Sequence, residues 1–303
     1  MVDITHKANT LRMAIAQAIV KVSDVKTIEA IQQNKVPKGN VFEMSRAAGL
    51  LGIKKTPEIL PDCHPLPIEY AHISYEIEGL HIHIRVTVKT IYKTGVEVEA
   101  MHGASIVALN LYDMLKPIDK GVEIHHIKLL EKHGGKSDYQ ASLSEEIQAA
   151  IIVCSDTVSK GEKQDKAGLA VKDLLAQWNV SSVTYEVIPD EIEQVQSKAK
   201  EAVSKGISLI IFVGGTGLSP RDTTPEALQP LLDRPIPGIE EVMRSYGQQR
   251  TSFAMLSRSV AGMMDNSLVL AIPGSTKGAQ ECIQAIFPSV LHIFEINKGQ
   301  QHD

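Results

Sequence analysis

Aromatic residues are scarce, 4% of 303 with a single tryptophan, Trp178. Binders of single-stranded nucleic acid stack bases on exposed rings, so this scarcity argues against that class. Cysteine is scarcer still. Cys63, Cys154 and Cys282 are odd in number, far apart and form no CxxC pair. That argues against a disulfide framework and a structural zinc site. No apolar run approaches the ~18 residues of a membrane span, and MVDITHKANTLRMAIAQ at the start lacks the apolar core of a signal peptide. Excess positive charge is missing too. The formal net charge is -5, so no general field gathers a polyanion. These absences predict a cytoplasmic protein without nucleic-acid or membrane partners.

What is present fits a folded chain, 43% hydrophobic and 22% charged. The length suggests two domains, and the charge divides accordingly. Residues 1–143 hold 17 of the 31 basic and 16 of the 36 acidic residues, and nine of the 11 histidines. The remainder therefore carries a balance of -6 against +1.

In the first part, residues 10–22 (TLRMAIAQAIVKV) show helical apolar spacing and predict a helix. Asn40 followed by Glu43 predicts a capped helix to about Leu51. Residues 59–68 hold three prolines and predict an irregular loop. Residues 69–78 and 80–92 alternate about Gly79, which predicts an antiparallel hairpin. Residues 98–115 read as a buried helix and 122–130 as a strand. Helices on an antiparallel sheet make an α+β domain over 1–140, for which a ferredoxin-like arrangement is expected. The Gly-, Ser- and acid-rich stretch after it predicts a linker at 141–147.

Residues 148–303 have a different texture. AAIIVCS (149–155), VTYEVIPD (183–190), SLIIFVGG (208–215) and SLVLAIPG (267–274) are apolar runs separated by helical patterns. This alternation predicts a three-layer α/β domain on a mostly parallel sheet.

Such a sheet takes ligands at the carboxyl ends of its strands. Polar motifs stand at all four ends: Ser155-Asp156, Asp190, the turn Gly214-Gly215-Thr216-Gly217, and Gly274-Ser275. Glycines let backbone N–H groups approach an anion. The turn is neither a Walker A loop nor a dinucleotide fingerprint. Asp190 and Asp222 are then carboxylates beside an anion site and candidate ligands for Mg²⁺. The alternative is that Asp222 only orders its own turn.

In the first part, Lys38 precedes a helix cap, and Lys54 lies ten residues before His64 in the proline-rich loop. Glu97 and Glu99 stand at a helix start. Asp113 and Lys116 share a helix face. A lysine near a carboxylate can do acid–base work, or the two can form an ordinary surface pair. His81 and His83 share a strand face and could ligate a metal, but no third ligand stands at persuasive spacing. His125 and His126 are expected on opposite faces.

Two resemblances go further. GGTG at 214–217, Arg221-Asp222 with Thr224 and Glu226, SD at 155–156, PDE at 189–191 and PG at 273–274 resemble the molybdopterin-binding proteins. Active members adenylylate molybdopterin with ATP. The resemblance implies Asp190 and Asp222 as catalytic and metal-holding carboxylates with Mg²⁺. It implies substrate contacts at Ser155, Asp156, Gly214, Gly215, Thr216, Gly217, Gly274 and Ser275. Some members bind without catalysis, so a non-catalytic molybdopterin-binding module is the alternative. Ala167 stands where a serine is common.

KGNV (38–41), LPDCHPLP (60–67), KTGVEVEA (93–100), ALNLYDMLK (108–116) and LLEKHGGKS (129–137) resemble cyclic pyranopterin monophosphate synthases. That family converts 3′,8-cyclo-7,8-dihydroguanosine triphosphate to cyclic pyranopterin monophosphate and pyrophosphate, with no cofactor. The resemblance implies catalytic roles for Lys38, Asp113 and Lys116, and substrate contacts from Arg12, Lys54, His64, Glu97, Glu99 and Lys132. It also implies a pocket between subunits of a homo-oligomer, a trimer or hexamer. Asn40 replaces a usual Asp, and Val98 and His102 replace a usual Met and Thr. The chain thus resembles a bifunctional fusion for molybdenum cofactor biosynthesis, with pterins, nucleotides and ATP as small-molecule partners.

Overall fold

The computed structural model describes residues 1–135, 147–178 and 180–297. The chain divides into two compact units, Met1–Asp138 and Tyr139–Asp303. The linker expected at 141–147 lies outside the described residues except for Ile147, which opens a strand.

The first unit runs β1 (Thr10–Lys21), α1 (Val25–Gln32), α2 (Val41–Ile59), β2 (Tyr70–Glu78), β3 (His81–Tyr92), α3 (Glu97–Leu115) and β4 (Glu123–His133). Its four strands form an antiparallel sheet in the order β2-β3-β1-β4. The hairpin, the proline loop and the buried helix α3 stand where the sequence places them. The helix expected at 10–22 is instead the strand β1. Ala14, Ala16, Ala18 and Val20 point into the core, and Met13, Ile15 and Ile19 stand between them. With apolar residues on both faces, the period of two is masked. Strand partners reached across Thr10↔Tyr92 to Lys21↔His81 decide the conformation.

α2 and α3 cover one face of this sheet. They approach closely because small residues line their contact. A Cβ on Gly103 would stand 2.5 Å from Ile53, and one on Gly52 would stand 2.9 Å from Ile106. Asn40 caps α2 as expected, its Oδ1 accepting from the Glu43 N–H at 3.0 Å. The helix continues past Leu51 to Ile59. A register shift in the β1–β4 pairing near Ala18 places His125 and His126 around one concavity with His81 and His83. A bulge of this kind breaks strict alternation, so the expectation of opposite faces fails. Among the described residues no cluster has metal-holding geometry.

The second unit runs β5 (Ile147–Cys154), α4 (Asp156–Ser159), α5 (Ala167–Leu175), β6 (Val180–Ile188), α6 (Ile192–Ser204), β7 (Leu209–Val213), α7 (Thr224–Leu228), β8 (Arg234–Pro235), α8 (Pro237–Gln248), β9 (Val260–Met264), β10 (Ser267–Ile272), α9 (Thr276–Ile286) and α10 (Ile293–Asn297). The sheet order is β6-β5-β7-β10-β9-β8, parallel from β6 to β10 and antiparallel at β9 and β8. Ile151 and Val153 face one way, onto α5 and α9. Ile152 and Cys154 face the other, onto α6 and α7. The three layers are therefore those expected of apolar strands covered on both sides. No helix among the described residues is long and apolar enough to cross a membrane.

Candidate active sites of the two units

In the first unit the structure brings Lys38, Asp113 and Lys116 together. Lys38, in the turn before α2, sets its Nζ 2.5 Å from Oδ2 of Asp113 and 2.9 Å from the Asp113 carbonyl. Lys116, one turn along from Asp113, sets its Nζ 2.7 Å from Oδ1. Hydrogen bonds from Lys116 and Lys38 hold the Asp113 carboxyl down at about 2. The same bond with Asp113 raises Lys116 above the usual lysine value. One carboxylate thus positions two ammonium groups on an exposed surface.

The other expected residues gather at the opposite end of α3. Glu97 lies 3.6 Å from the Nζ of Lys132 on β4. Glu99 is only 1% exposed and accepts from the Cys63 thiol at 3.2 Å. Burial raises the Glu99 carboxyl, and burial with the Glu99 contact pushes the Cys63 thiol up to about 12. His64 meets the Val2 carbonyl through Nε2 at 2.8 Å. Arg12 is 9% exposed, and its Nε donates to the Tyr92 carbonyl at 3.2 Å. Lys54 stands near the end of α2 that packs on this part of α3. Glu97 and Asp113 are 16 residues apart on one helix, which separates the clusters by about 24 Å along its axis. A single chain therefore does not bring the two groups into one pocket.

Among the departures, Asn40 donates through Nδ2 to Asn34 Oδ1 at 3.1 Å, a bond an aspartate could not donate. His102 contacts Thr56 Oγ1 at 3.0 Å.

In the second unit the four strand ends do converge. They line one cleft of about 1140 Å³ that includes Ser155, Asp156, Asp190, Gly214, Gly215, Thr216, Gly217, Asp222, Gly274 and Ser275. The glycines are required. Gly214 and Gly215 have φ of +112° and +63°, and a Cβ on Gly215 would stand 2.1 Å from Asp190 Oδ2. A Cβ on Gly214 would stand 2.2 Å from the Cys154 carbonyl. Ser275 caps α9, its Oγ accepting from the Gly278 N–H at 3.2 Å. Ser155 caps α4 in the same way.

Asp190 is 6% exposed. Its Oδ1 accepts from the Thr223 N–H at 3.3 Å and from the Thr223 and Thr224 hydroxyls at 3.2 Å. Burial raises its carboxyl, the Thr223 and Thr224 donors oppose the rise, and the charge of Asp222 adds to it. Asp222 does order its own turn: Oδ2 accepts from the Ser219 N–H at 2.8 Å. It also faces the cleft. Asp156 is held by Arg221 through two bonds of 3.0 Å.

One residue escaped the sequence reading. Arg258 belongs to none of the motifs, yet its Nε donates to the Gly217 carbonyl at 2.8 Å and its Nη2 to the Asp222 carbonyl at 2.6 Å. It also pairs with Glu226. It ties the glycine turn to Asp222. Its bonds go mostly to main-chain oxygens, which leave no pattern in sequence.

Comparison with known proteins agrees with the two units. The MoaC family matches residues 1–135, and the domain described as "probable molybdopterin binding domain" matches residues 150–292. These matches define a tandem protein class with one domain of each kind. The chain is 35% identical over 302 residues to the molybdenum cofactor biosynthesis bifunctional protein of Chlorobaculum tepidum, covering 100% of this chain and 96% of that one. It is 35% identical over 315 residues to the protein of the same description from Synechococcus elongatus, covering 100% and 98%. Its first part is 42% identical over 138 residues to the cyclic pyranopterin monophosphate synthase of Aquifex aeolicus, covering 46% of this chain and 54% of that one. A crystal structure of the molybdopterin biosynthesis enzyme MoaB from Thermus thermophilus is 40% identical, covers 52% of this chain and 99% of its own, and has a TM-score of 0.48. The chain belongs to the family of bifunctional molybdenum cofactor biosynthesis proteins.

Proposed function

We propose that the chain carries out two steps of molybdenum cofactor biosynthesis. The first unit converts 3′,8-cyclo-7,8-dihydroguanosine triphosphate to cyclic pyranopterin monophosphate and pyrophosphate. The observation that supports this is the Lys38–Asp113–Lys116 cluster. Two protonated amines on one carboxylate can deliver protons during ring rearrangement and counter the charge of a departing pyrophosphate. Arg12, Lys54, His64, Glu97, Glu99 and Lys132 would bind the triphosphate and the ring. Because those groups lie at the far end of α3, the reading includes a homo-oligomer, a trimer or hexamer, in which a second copy completes each pocket. The element order with strands β4-β1-β3-β2 supports reading this unit as ferredoxin-like.

The second unit, in this reading, transfers AMP from ATP to molybdopterin. Support comes from two carboxylates, Asp190 and Asp222, opening on a cleft lined by a glycine turn and the capped start of α9. Their fit to Mg²⁺ is favourable. Burial and mutual repulsion disfavour two negative charges there, and a divalent cation reverses that preference. Asp190 uses Oδ1 and Asp222 uses Oδ2 for protein bonds, and Mg²⁺ commonly takes one or two carboxylates plus substrate phosphates. When bound it would neutralise charge on the transferring phosphate. The glycine turn would hold the phosphate end of the substrate, Arg258 would keep the turn in register, and Asp156 would be fixed by Arg221. The presence of both Asp190 and Asp222 on the cleft supports transfer over binding alone. The three unbridged cysteines support a cytoplasmic setting.

The test is direct. Full-length protein is incubated with the cyclic triphosphate, and separately with molybdopterin, ATP and Mg²⁺, beside Lys116→Ala and Asp222→Asn. Each product should appear with wild type and disappear only with the variant of its own unit. Wild type forming neither product overturns the reading.

A further inference from the structure

The proline-rich loop between α2 and β2 touches the first turn of α3 through one side chain. The Cys63 N–H donates to the Leu60 carbonyl at 3.0 Å, which fixes the residue just past the end of α2. Its thiol reaches Oε1 of Glu99 at 3.2 Å, across 36 residues of sequence. The thiol, pushed up to about 12, keeps its hydrogen at ordinary assay pH, so sulfur donates and the carboxylate accepts. Burial raises the Glu99 carboxyl. The Cys63 bond and the N–H of Glu99 itself oppose the rise, and the charge of Glu97 adds to it. The other charged or titratable groups at this end of α3 are Lys54 of α2, Arg12 of β1, Lys132 of β4, His102 of α3, and Asp62 and His64 of the loop. Lys132 pairs with Glu97, His102 meets Thr56, and His64 meets the Val2 carbonyl.

We propose that Cys63 is a positioning residue of the first unit, whose S–H sets the plane of the Glu99 carboxylate and keeps it an acceptor for the N–H donors of the purine-derived ring. The proposal rests on reading that unit as the synthase, with Glu99 at the ring. The chemistry needs such a donor. An ionised carboxylate only accepts, so it matches N–H groups with both oxygens, whereas a protonated carboxyl carries a hydrogen that competes with them. Glu99 is 1% exposed, so water does little to hold the charge there. A lysine or arginine in place of the thiol would hold the charge too, but would consume it in an ion pair. The thiol is a weak, uncharged donor. It favours the accepting form and leaves the negative charge for the substrate. Cys63 acts through Glu99, and no bond to its sulfur is made or broken.

The full chain is assayed with the cyclic triphosphate across the pH range, as wild type, Cys63→Ala and Cys63→Ser. Without the donor, the Glu99 carboxyl rises further. The acid limb of kcat/KM reports groups of the free enzyme. In Cys63→Ala it is expected to move to higher pH, with KM on that limb raised about fivefold or more. Cys63→Ser keeps a donor on a shorter arm and is expected to return the limb part of the way. A merely structural role would lower the rate equally at every pH. A limb that stays in place in Cys63→Ala, or that serine and alanine shift alike, overturns the proposal. The S–H stretching band in the infrared reads the bond without turnover. Assigned by its loss in Cys63→Ser, the Cys63 band is expected to move to higher frequency in Glu99→Gln, whose amide oxygen is the weaker acceptor. A band that does not move overturns the proposal. Wild type that binds the triphosphate without turning it over overturns the synthase reading alone, and affinity then replaces kcat/KM across the same variants. Wild type that does not bind it overturns both.

Discussion

Lys38 and Asp113 meet across 75 residues of sequence, with Lys38 Nζ 2.5 Å from the Asp113 carboxylate. The carboxylate also receives Lys116, so its removal changes both amines at once. Lys116 is raised chiefly by the bond with Asp113. In Asp113→Asn, Lys116 falls back toward the ordinary lysine value. The alkaline limb of kcat/KM for the first unit should move to lower pH, and the rate at neutral pH should fall about 100-fold. Asp113 itself, held near 2, stays ionised at any ordinary assay pH. Its depressed value contributes stability above the usual carboxylate range, which is lost only as pH falls through about 2. A pH–rate profile with an acid limb near about 4 to 5, the ordinary carboxylate range, that vanishes in Asp113→Asn would contradict this.

The two ends of α3 make a subunit-mixing experiment decisive. Lys116→Ala and Glu97→Ala should each be inactive alone. If one chain supplies the Lys116 end and its neighbour the Glu97 end, randomly mixed oligomers regain roughly a quarter of the sites. Mixed samples are refolded or co-expressed and assayed for cyclic pyranopterin monophosphate. No recovery would place the whole site within one chain.

Gly215→Ala should abolish AMP transfer and lower the melting temperature of the second unit. A left-handed backbone costs a side chain about 1–2 kcal/mol, and the added Cβ would collide with Asp190 and Thr224. Gly206→Ala is the control. Its φ is +73°, yet a Cβ there would meet nothing within 4 Å. That variant should share the backbone cost and keep the activity. Equal loss of activity in both would remove the glycine turn from the site.

Asp190→Asn should separate stability from function. Burial raises the Asp190 carboxyl, so its ionised form opposes folding. With a raised value, its contribution is favourable below the ordinary carboxylate range and is lost as pH rises through the folded value. At pH 7 the asparagine keeps an oxygen for the Thr223 and Thr224 donors without the charge. The metal-free variant should melt at or above the wild-type temperature, gain no stability from added Mg²⁺, and form no adenylylated product. Calorimetry with and without Mg²⁺ checks each part, and a clear fall in melting temperature would contradict it.

The candidate site of the second unit was legible because its chemistry sits at strand ends. An apolar run followed by glycine or aspartate marks both the strand and its ligand end. The first unit was less legible. β1 carries Met13, Ile15 and Ile19 between its buried alanines, so both faces read as apolar and its period was hidden. Its conformation depends on β3 and β4, which stand far along the chain from it. His125 and His126 were misplaced because a bulge is a property of the pairing and leaves no mark in a single strand. Arg258 was invisible for a related reason. Its acceptors are the carbonyls of Gly217 and Asp222, and a carbonyl is common to every residue.

Each unit has its own sheet and its own core within one polypeptide. Every molecule made therefore carries one Asp113 cluster and one Asp222 cleft. Separate genes would leave the ratio of the two to differences in transcription, translation and turnover. A covalent chain fixes it at parity from the ribosome onward, and a mutation that triggers degradation of one half removes the other with it.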